Sequence, residues 1–167
     1  MLLTLKNIAQ SIGAEFHAAK NNTNKIIRKW ASKSYYPTFF ENANVPPHPT
    51  VFLRNNVYKI AGLFNTNYIF ASDYDFLLRI FKKYHFKSYY LNKVTIRMRL
   101  GGLTNNSFKN IFIGNLEIIK SWKENKINIG VNEFCRIAEG NMNEYFRKSE
   151  SSSLYYDLRQ YGKNYKI

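Results

Sequence analysis

The sequence predicts an α/β fold, with a mixed sheet followed by carboxy-terminal helices. One stretch, "VTIRMRLGG", alternates apolar and polar residues with the period of a β-strand. Apolar residues recur instead at helical spacing in "YDFLLRIF" and through the last third of the chain. The chain has 167 residues and is 45% hydrophobic, so it is large enough for a core of its own and too short for two full domains.

The first predicted elements are a helix and two strands. Apolar residues at positions 5, 8 and 12 share one helical face, and Gly13 is a residue type that ends helices. Short strands are expected near residues 14–18 and 25–30.

A loop follows in "NANVPPHPTVFLRNN". Its consecutive prolines bias Val45 and Pro46 toward extended geometry and prevent a helix there. Residues 51–53 then favour a buried strand or its edge. The next apolar segment, 58–61, ends at Gly62.

The best-defined helix is predicted over residues 73–84. The spacing i, i+3, i+4, i+7 is occupied by apolar side chains, namely Tyr74, Leu77, Leu78 and Phe81. Two carboxylates lie in its first turn, and they invite three interpretations: a helix cap, a metal clamp or a catalytic base.

The two carboxylates, Asp73 and Asp75, have different expected roles in the helix. Ser72 is a natural N-cap, with Asp75 three residues later as the acid of a capping box. Asp75 can also pair with Arg79 one turn on, so its predicted role is structural. Asp73 has no expected partner within the helix. We expect its side chain to point away from the N-terminal end of the helix.

Two arginines project from one side of the strand that follows this helix. In "VTIRMRLGG", Arg97 and Arg99 alternate with the apolar residues and precede Gly101 and Gly102, which let the backbone turn or approach a ligand. A phosphate site and an ordinary exposed edge strand are both open interpretations.

The rest of the chain is helical in pattern. One apolar stripe comprises Phe108, Ile111, Phe112, Ile119 and Trp122, and a second comprises Val131, Phe134, Cys135, Ala138, Met142 and Tyr145. On that second stripe Cys135 is predicted to be a small core residue. The segment after residue 149 is weakly specified.

Charge and cysteine content narrow the class of protein. The net charge is +14, and residues 76–116 carry eight basic side chains and no acid. An anionic partner would account for this excess, and so would an AT-rich genome, which raises Lys content without selection for binding. A single cysteine and three scattered histidines argue against disulfides and a zinc site. With no signal peptide or long apolar run, the expected location is cytoplasmic.

The motifs "HPT", "GLF", "ASDYDFLLR" and "RMRLGG", in this order and spacing, resemble the carboxy-terminal half of family 2 glycosyltransferases that build bacterial polysaccharides such as capsule and O-antigen. The resemblance covers residues 25–125. It implies part of a Rossmann-like A-type glycosyltransferase fold over residues 1–125, followed by a helical tail over residues 126–167.

The resemblance also implies roles for individual residues. Asp73 matches the acid that serves as general base of an inverting transfer. His48 and Thr50 would line the acceptor side, while Arg97 and Arg99 would balance diphosphate charge. The "DYD" sequence spells the short metal motif of these enzymes, but that motif belongs upstream at a strand end, so we expect no metal ligand in this chain.

The family's first half, which binds the nucleotide sugar and carries the metal motif, has no counterpart in this sequence. We therefore expect no activity from the chain alone, no cofactor within it, and Mg²⁺ or Mn²⁺ only together with the missing half. The implied partners are a nucleotide-sugar donor, a glycan or lipid-linked acceptor and a separate nucleotide-binding chain. The alternative is a basic module without catalysis that binds an anionic membrane at its inner face or, less favoured, nucleic acid.

Overall fold

The computed structural model describes residues 12–19, 22–99 and 107–149. Its strands form one sheet in the order β2-β1-β3, with β1 (Ile12–Ala19), β2 (Asn22–Ala31) and β3 (Tyr90–Arg99). β2 runs antiparallel to β1, and β3 runs parallel to it, so the sheet is mixed. Parallel pairing of β1 with β3 requires a crossover, and the chain between β2 and β3 supplies it.

That crossover is partly helical. It contains α1 (Asn55–Ala61) and α2 (Ser72–Leu78), and α2 continues as a π-helical turn over Arg79–Lys83. Two longer helices, α3 (Phe108–Glu124) and α4 (Val131–Ser149), follow the sheet. Ser107 caps α3, because its hydroxyl accepts a hydrogen bond from the Asn110 N–H at 3.2 Å.

The core is built around α2. Every residue from Tyr74 to Leu78 is buried, as are Ile80 and Phe81 in the π-helical turn. The loop after β2 contributes Phe39 and Phe40, and their rings lie 5.9 Å apart in an edge-to-face arrangement. Trp122 of α3 is also fully buried, and its indole N–H donates to the Tyr74 hydroxyl of α2. The core therefore fixes α2 tightly and leaves only its first turn near the surface.

Most of the predicted elements are found, with two local errors. The strands expected near 14–18 and 25–30 lie within β1 and β2, and the "VTIRMR" strand lies within β3. Gly13 is inside β1, so it ends no helix, and residues 1–11, over which that helix was expected, lie outside the described residues. Residues 51–53 form no strand: Val51 makes an isolated bridge after a 3₁₀ turn at His48–Thr50. The expected A-type glycosyltransferase fold remains a prediction.

The apolar faces of α3 and α4 also differ from the predicted stripes. Ile111, Ile118 and Trp122 are buried in α3, whereas Phe112 faces outward. Among the α4 side chains that the structure describes, Ile137 is buried and Cys135 is exposed, so the prediction that Cys135 is a core residue is wrong. The Met142 and Tyr145 side chains of the predicted stripe lie outside the described part of the chain. A pattern of apolar letters does not indicate which of two neighbouring positions meets the core.

The last helix is joined to the rest of the molecule by its side chains. Ile137 belongs to the core cluster, and the Asn141 amide donates a hydrogen bond to the Asn115 side chain of α3 at 2.6 Å. The Arg136 guanidinium reaches the Asn42 side chain at 3.0 Å. Through these three residues, α4 packs on α3 and on the loop after β2.

Candidate functional site

The entrance to α2 is held by a carboxylate from another helix. Glu117 of α3 accepts hydrogen bonds from three consecutive backbone N–H groups, those of Ile69, Phe70 and Ala71, at 2.8, 2.8 and 2.9 Å. These N–H groups precede the helix, where backbone donors lack intrahelical partners. A charged acceptor satisfies them strongly, so Glu117 fixes the direction in which α2 begins.

Asp73 lies at this fixed entrance and is exposed. One of its carboxylate oxygens, Oδ1, accepts a hydrogen bond from the Tyr74 N–H at 2.7 Å. The neighbouring Tyr74 side chain is buried, and its hydroxyl accepts a hydrogen bond from the Trp122 indole at 2.9 Å. Asp73 therefore combines a rigid backbone position with a side chain that solvent or a ligand can reach.

A cavity of about 390 Å³ opens beside Asp73. It lies between the end of β2, the loop around residues 43–45, the entrance to α2 and the inner faces of α3 and α4. Trp30, Phe39 and Ile118 form part of its apolar wall, and Asp73 is the one carboxylate among the described residues that line it. A cavity of this size with both apolar and polar side chains on its wall is compatible with a small ligand.

Both glycines within the described helices lie on the wall of this cavity. They are Gly114 in α3 and Gly140 in α4. A Cβ at Gly114 would lie 3.6 Å from the Phe70 Cβ, and one at Gly140 would lie 3.8 Å from the Ala43 Cβ. Glycine inside a helix is unfavourable by about 1 kcal/mol relative to alanine. Here it leaves the wall without side chains and widens the cavity.

Asp75, two residues after Asp73, is buried and fully engaged. Its Oδ2 pairs with the Arg79 Nε at 3.0 Å, and its Oδ1 accepts a hydrogen bond from the Asn125 amide at 2.8 Å. The predicted pairing with Arg79 is therefore confirmed, and the structural role of Asp75 stays a prediction with which its burial agrees. The capping-box role is wrong, because the carboxylate points away from the helix entrance and Glu117 bonds the amides there.

Arg79 extends the same network to the loop after α1. Its guanidinium donates to the carbonyl oxygen of Ala61 and, at 2.6 Å, to that of Leu63. These two carbonyls flank Gly62, which ends α1 with a positive φ of 78°, a backbone conformation that favours glycine. The ion pair thus joins α2, α3 and this loop.

The predicted N-cap at Ser72 is also wrong. Ser72 is the first residue of α2, Ala71 occupies the cap position, and no side chain of the cap residue bonds the helix. The Ser72 hydroxyl instead donates to the Asn65 carbonyl oxygen at 2.9 Å. Its role is to tie the preceding loop to the helix.

Neither residue of the "HPT" motif that was expected to face an acceptor lines the Asp73 cavity. Thr50 is fully buried, and its hydroxyl donates to the Pro47 carbonyl oxygen at 2.8 Å. This places Thr50 in a structural role and corrects the substrate-binding assignment. The partly exposed His48 ring lies edge-on to Phe64 with centroids 5.3 Å apart.

The structure describes only some of the residues that were predicted to bind phosphate. Arg97 is exposed on β3, an edge strand of the described sheet, and does not line the cavity. Arg99 is the last residue of β3, and its side chain lies outside the described part of the chain. Gly101 and Gly102 also lie outside the described residues. The structure therefore does not bring Arg97 to Asp73, and the assignments of Arg99, Gly101 and Gly102 stay predictions.

The described residues were also searched for metal-binding groups and for helices that could span a membrane. No group of three or more His, Cys, Asp or Glu side chains with the proximity needed to hold a metal ion occurs among them. Within the same residues, no helix combines the length and apolar character needed to cross a bilayer.

Sequence reasoning proposed Asp73 but missed the carboxylate that holds the entrance to α2 and the glycines on the cavity wall. Glu117 and the two helical glycines are distant in sequence and belong to no motif. The glycines did carry a signal, because a glycine in an otherwise regular helix often has a packing or binding reason. Glu117 carried none, since its partners are backbone groups almost fifty residues away.

Comparisons of the chain with family models, curated proteins and solved structures found no match.

Proposed function

We propose that this chain supplies the acceptor side and the catalytic base of a glycosyltransferase that uses a nucleotide-sugar donor in cell-surface polysaccharide synthesis. The observation that carries the proposal is the placement of Asp73, an exposed carboxylate on the wall of a cavity of about 390 Å³. The resemblance of the "ASDYDFLLR" and "RMRLGG" motifs to family 2 glycosyltransferases supplies the reaction class.

The chemistry needs one carboxylate in this position. As the acceptor hydroxyl oxygen forms its bond to the anomeric carbon, the hydroxyl proton passes to Asp73. The bond from that carbon to the donor phosphate oxygen breaks on the opposite face, so the nucleoside diphosphate leaves with the electron pair and the configuration inverts. Trp30 and Phe39 give the cavity wall apolar surface against which a sugar ring can pack.

The proposal assigns the donor diphosphate and its divalent ion to a separate nucleotide-binding half. Mg²⁺ or Mn²⁺, when bound there, offsets charge on the diphosphate. Neither Asp73 nor Asp75 is assigned to the ion, because Asp75 is occupied by Arg79 and Asn125.

The test is to supply the nucleotide-binding half of a family 2 glycosyltransferase, as a second chain or by fusion, and to measure release of nucleoside diphosphate and transfer of sugar. Asp73→Asn should lower turnover by roughly a hundredfold or more, as expected for loss of a general base. Asparagine keeps the side-chain size and can still accept from the Tyr74 N–H, so the fold should survive.

Glu139→Gln is the matched control, because Glu139 is an exposed carboxylate on α4 that does not line the cavity. It should retain the activity of the reconstituted enzyme. Full turnover by Asp73→Asn would remove Asp73 from its role as base. Failure to obtain activity from the unsubstituted chain with any donor half would contradict the glycosyltransferase proposal as a whole.

A further inference from the structure

The outer face of α3 is apolar at its centre and basic around it. Phe112 is 62% exposed and Leu116 is 49% exposed, although both are large hydrophobic residues. Their neighbours at spacings of three or four residues on the same face are lysines, namely Lys109, Lys120 and Lys123, and all three are exposed. We call these five residues the α3 outer face.

One further apolar side chain borders this face. Ile69 is 76% exposed, and its backbone N–H is bonded to Glu117 of the same helix. The bond places Ile69 beside α3, in the loop that enters α2. The exposed apolar surface is therefore formed by two segments whose relative position is fixed by hydrogen bonds.

The acids of α3 offset only part of the positive charge of this face, because the Glu124 carboxylate pairs with Lys120 alone among its lysines. Glu117 is turned toward the loop amides, and Glu124 accepts from the Tyr68 hydroxyl at 2.6 Å while lying 3.6 Å from the Lys120 ammonium. Lys120 also lies 5.5 Å from the centre of the Tyr68 ring. Lys109 and Lys123 lie on either side of the apolar centre, so the face as a whole attracts anions.

We propose that the α3 outer face docks on an anionic membrane surface. Aromatic and aliphatic side chains flanked by lysines are the composition that enters the headgroup region of a bilayer, where the apolar groups leave water and the ammonium groups meet lipid phosphate. Two other occupants fit less well. Leu116 and Ile69 have no ring on which a base could stack, and self-association across this face would bring the lysines of two copies, each with a net charge of +14, together.

The inner face of the same helix lines the Asp73 cavity through Ile111, Gly114 and Ile118. Because a helix with its side chains is about 10 Å wide, docking would hold the cavity about one helix width from the lipid headgroups. If the proposed function holds, a lipid-linked sugar acceptor would then lie within reach of Asp73. The docking surface itself does not depend on that function.

The experiment measures co-sedimentation of the 167-residue chain with vesicles of phosphatidylcholine alone and of phosphatidylcholine mixed with phosphatidylglycerol. We expect binding to the anionic vesicles only, weakened by added salt. The double substitution Phe112→Ser with Leu116→Ser should lower affinity by roughly tenfold or more. The matched control pairs Ile60→Ser with Val131→Ser, two exposed apolar residues on other helices, and should leave affinity unchanged.

Charge is tested with two triple variants that lose the same net charge. Lys109→Gln, Lys120→Gln and Lys123→Gln together should weaken binding by about fivefold for each lysine that contacts the headgroup region. The control replaces Lys59, Lys87 and Lys93, which are exposed elsewhere, with glutamine and should have a much smaller effect.

Four outcomes would overturn the proposal. The first is no binding of the unsubstituted chain to anionic vesicles, and the second is an equal loss of vesicle affinity in the two triple variants. The third is a dimer in solution that the Phe112 and Leu116 substitutions abolish. The fourth is tighter binding to duplex DNA than to vesicles, lost in the lysine variant but retained in the serine variant. None of these outcomes depends on glycosyltransferase activity, so failure here and failure of the proposed function are distinguishable.

Discussion

Asp73 and Asp75 are separated by one residue and have opposite environments. Asp73 is exposed on the cavity wall, whereas Asp75 is buried and contacts both Arg79 and Asn125. The i, i+4 spacing of Asp75 and Arg79 was enough to predict their pairing from the sequence. The partner amide from Asn125 could not be predicted, because it lies fifty positions away and local spacing carries no information about it.

We predict that Asp75→Asn destabilises the protein by about 3 kcal/mol, because it leaves the Arg79 guanidinium without a compensating charge in a mostly buried position. Chemical denaturation measures the change in the free energy of unfolding. The control is Asp73→Asn, which retains an acceptor for the Tyr74 N–H and should change that free energy by no more than about 0.5 kcal/mol. Equal effects of the two substitutions would contradict the assignment of Asp75 as the structural member.

At the scale of elements, α2 was the most accurately predicted helix and its entrance the least. The apolar spacing of "YDFLLRIF" reflects a face that the core requires, so the helix was visible in the sequence. Its start was predicted from Ser72 and Asp75, the residue types that commonly cap helices. Glu117 of α3 bonds the backbone amides at this entrance instead, so a tertiary contact replaces the local cap. Such a contact cannot be predicted from the residues that neighbour the helix start in sequence.

Glu117→Gln should loosen the entrance of α2. Glutamine has one carbonyl oxygen in place of two charged ones, so at most part of the three hydrogen bonds can persist. We expect faster amide hydrogen exchange at Ile69, Phe70 and Ala71 and a loss of about 2 kcal/mol in the free energy of unfolding. Glu139→Gln, on the exposed face of α4, serves as control. Unchanged exchange at those three amides would show that Glu117 does not hold the loop.

The helical glycines on the cavity wall give a second test at this scale. Gly114→Ala and Gly140→Ala should each stabilise the protein by about 1 kcal/mol, since their Cβ atoms would make ordinary contacts at 3.6 and 3.8 Å. Gly114→Leu should reduce turnover of the reconstituted enzyme, because its side chain would extend into the cavity. Full activity with leucine at this position would argue against the cavity as the acceptor site.

For the whole molecule, the sequence predicted which segments are helices and strands better than it predicted how they pack. Periodicity located β3, α3 and α4, although Val94 and Met98 on the apolar side of β3 are exposed. It assigned Phe112 and Cys135 to helix faces that meet the core, and both are exposed. The periodicity also gave no indication of the cavity. This cavity forms where β2, α2, α3 and α4 meet, and its lining residues come from positions 30 to 141.

Several aromatic residues pack together in the described core, and we expect the burial of tyrosines to make the stability of the protein sensitive to alkaline pH. The Tyr35 ring stacks on Phe81 with centroids 4.9 Å apart, and its hydroxyl donates to the Phe81 carbonyl oxygen at 3.3 Å. Burial, followed by the negative charge of Glu41, raises the pKa of Tyr35 to about 12. Burial also raises the pKa of Tyr68 and of Tyr74.

The sign of the effect follows from the direction of these shifts. Above the ordinary tyrosine pKa of about 10, the unfolded chain releases a proton that folded Tyr35 retains, so stability falls as pH rises. The contribution of neutral Tyr35 is fully present below pH 10 and is lost as pH passes through its folded pKa of about 12. Tyr35→Phe removes this group, so we predict that the free energy of unfolding of the variant falls less steeply over this interval than that of the unsubstituted protein. The control is Tyr89→Phe, at an exposed position, which should leave the dependence of the free energy of unfolding on pH unchanged. Parallel pH profiles for the Tyr35 variant and the unsubstituted protein would show that burial does not raise the pKa of Tyr35.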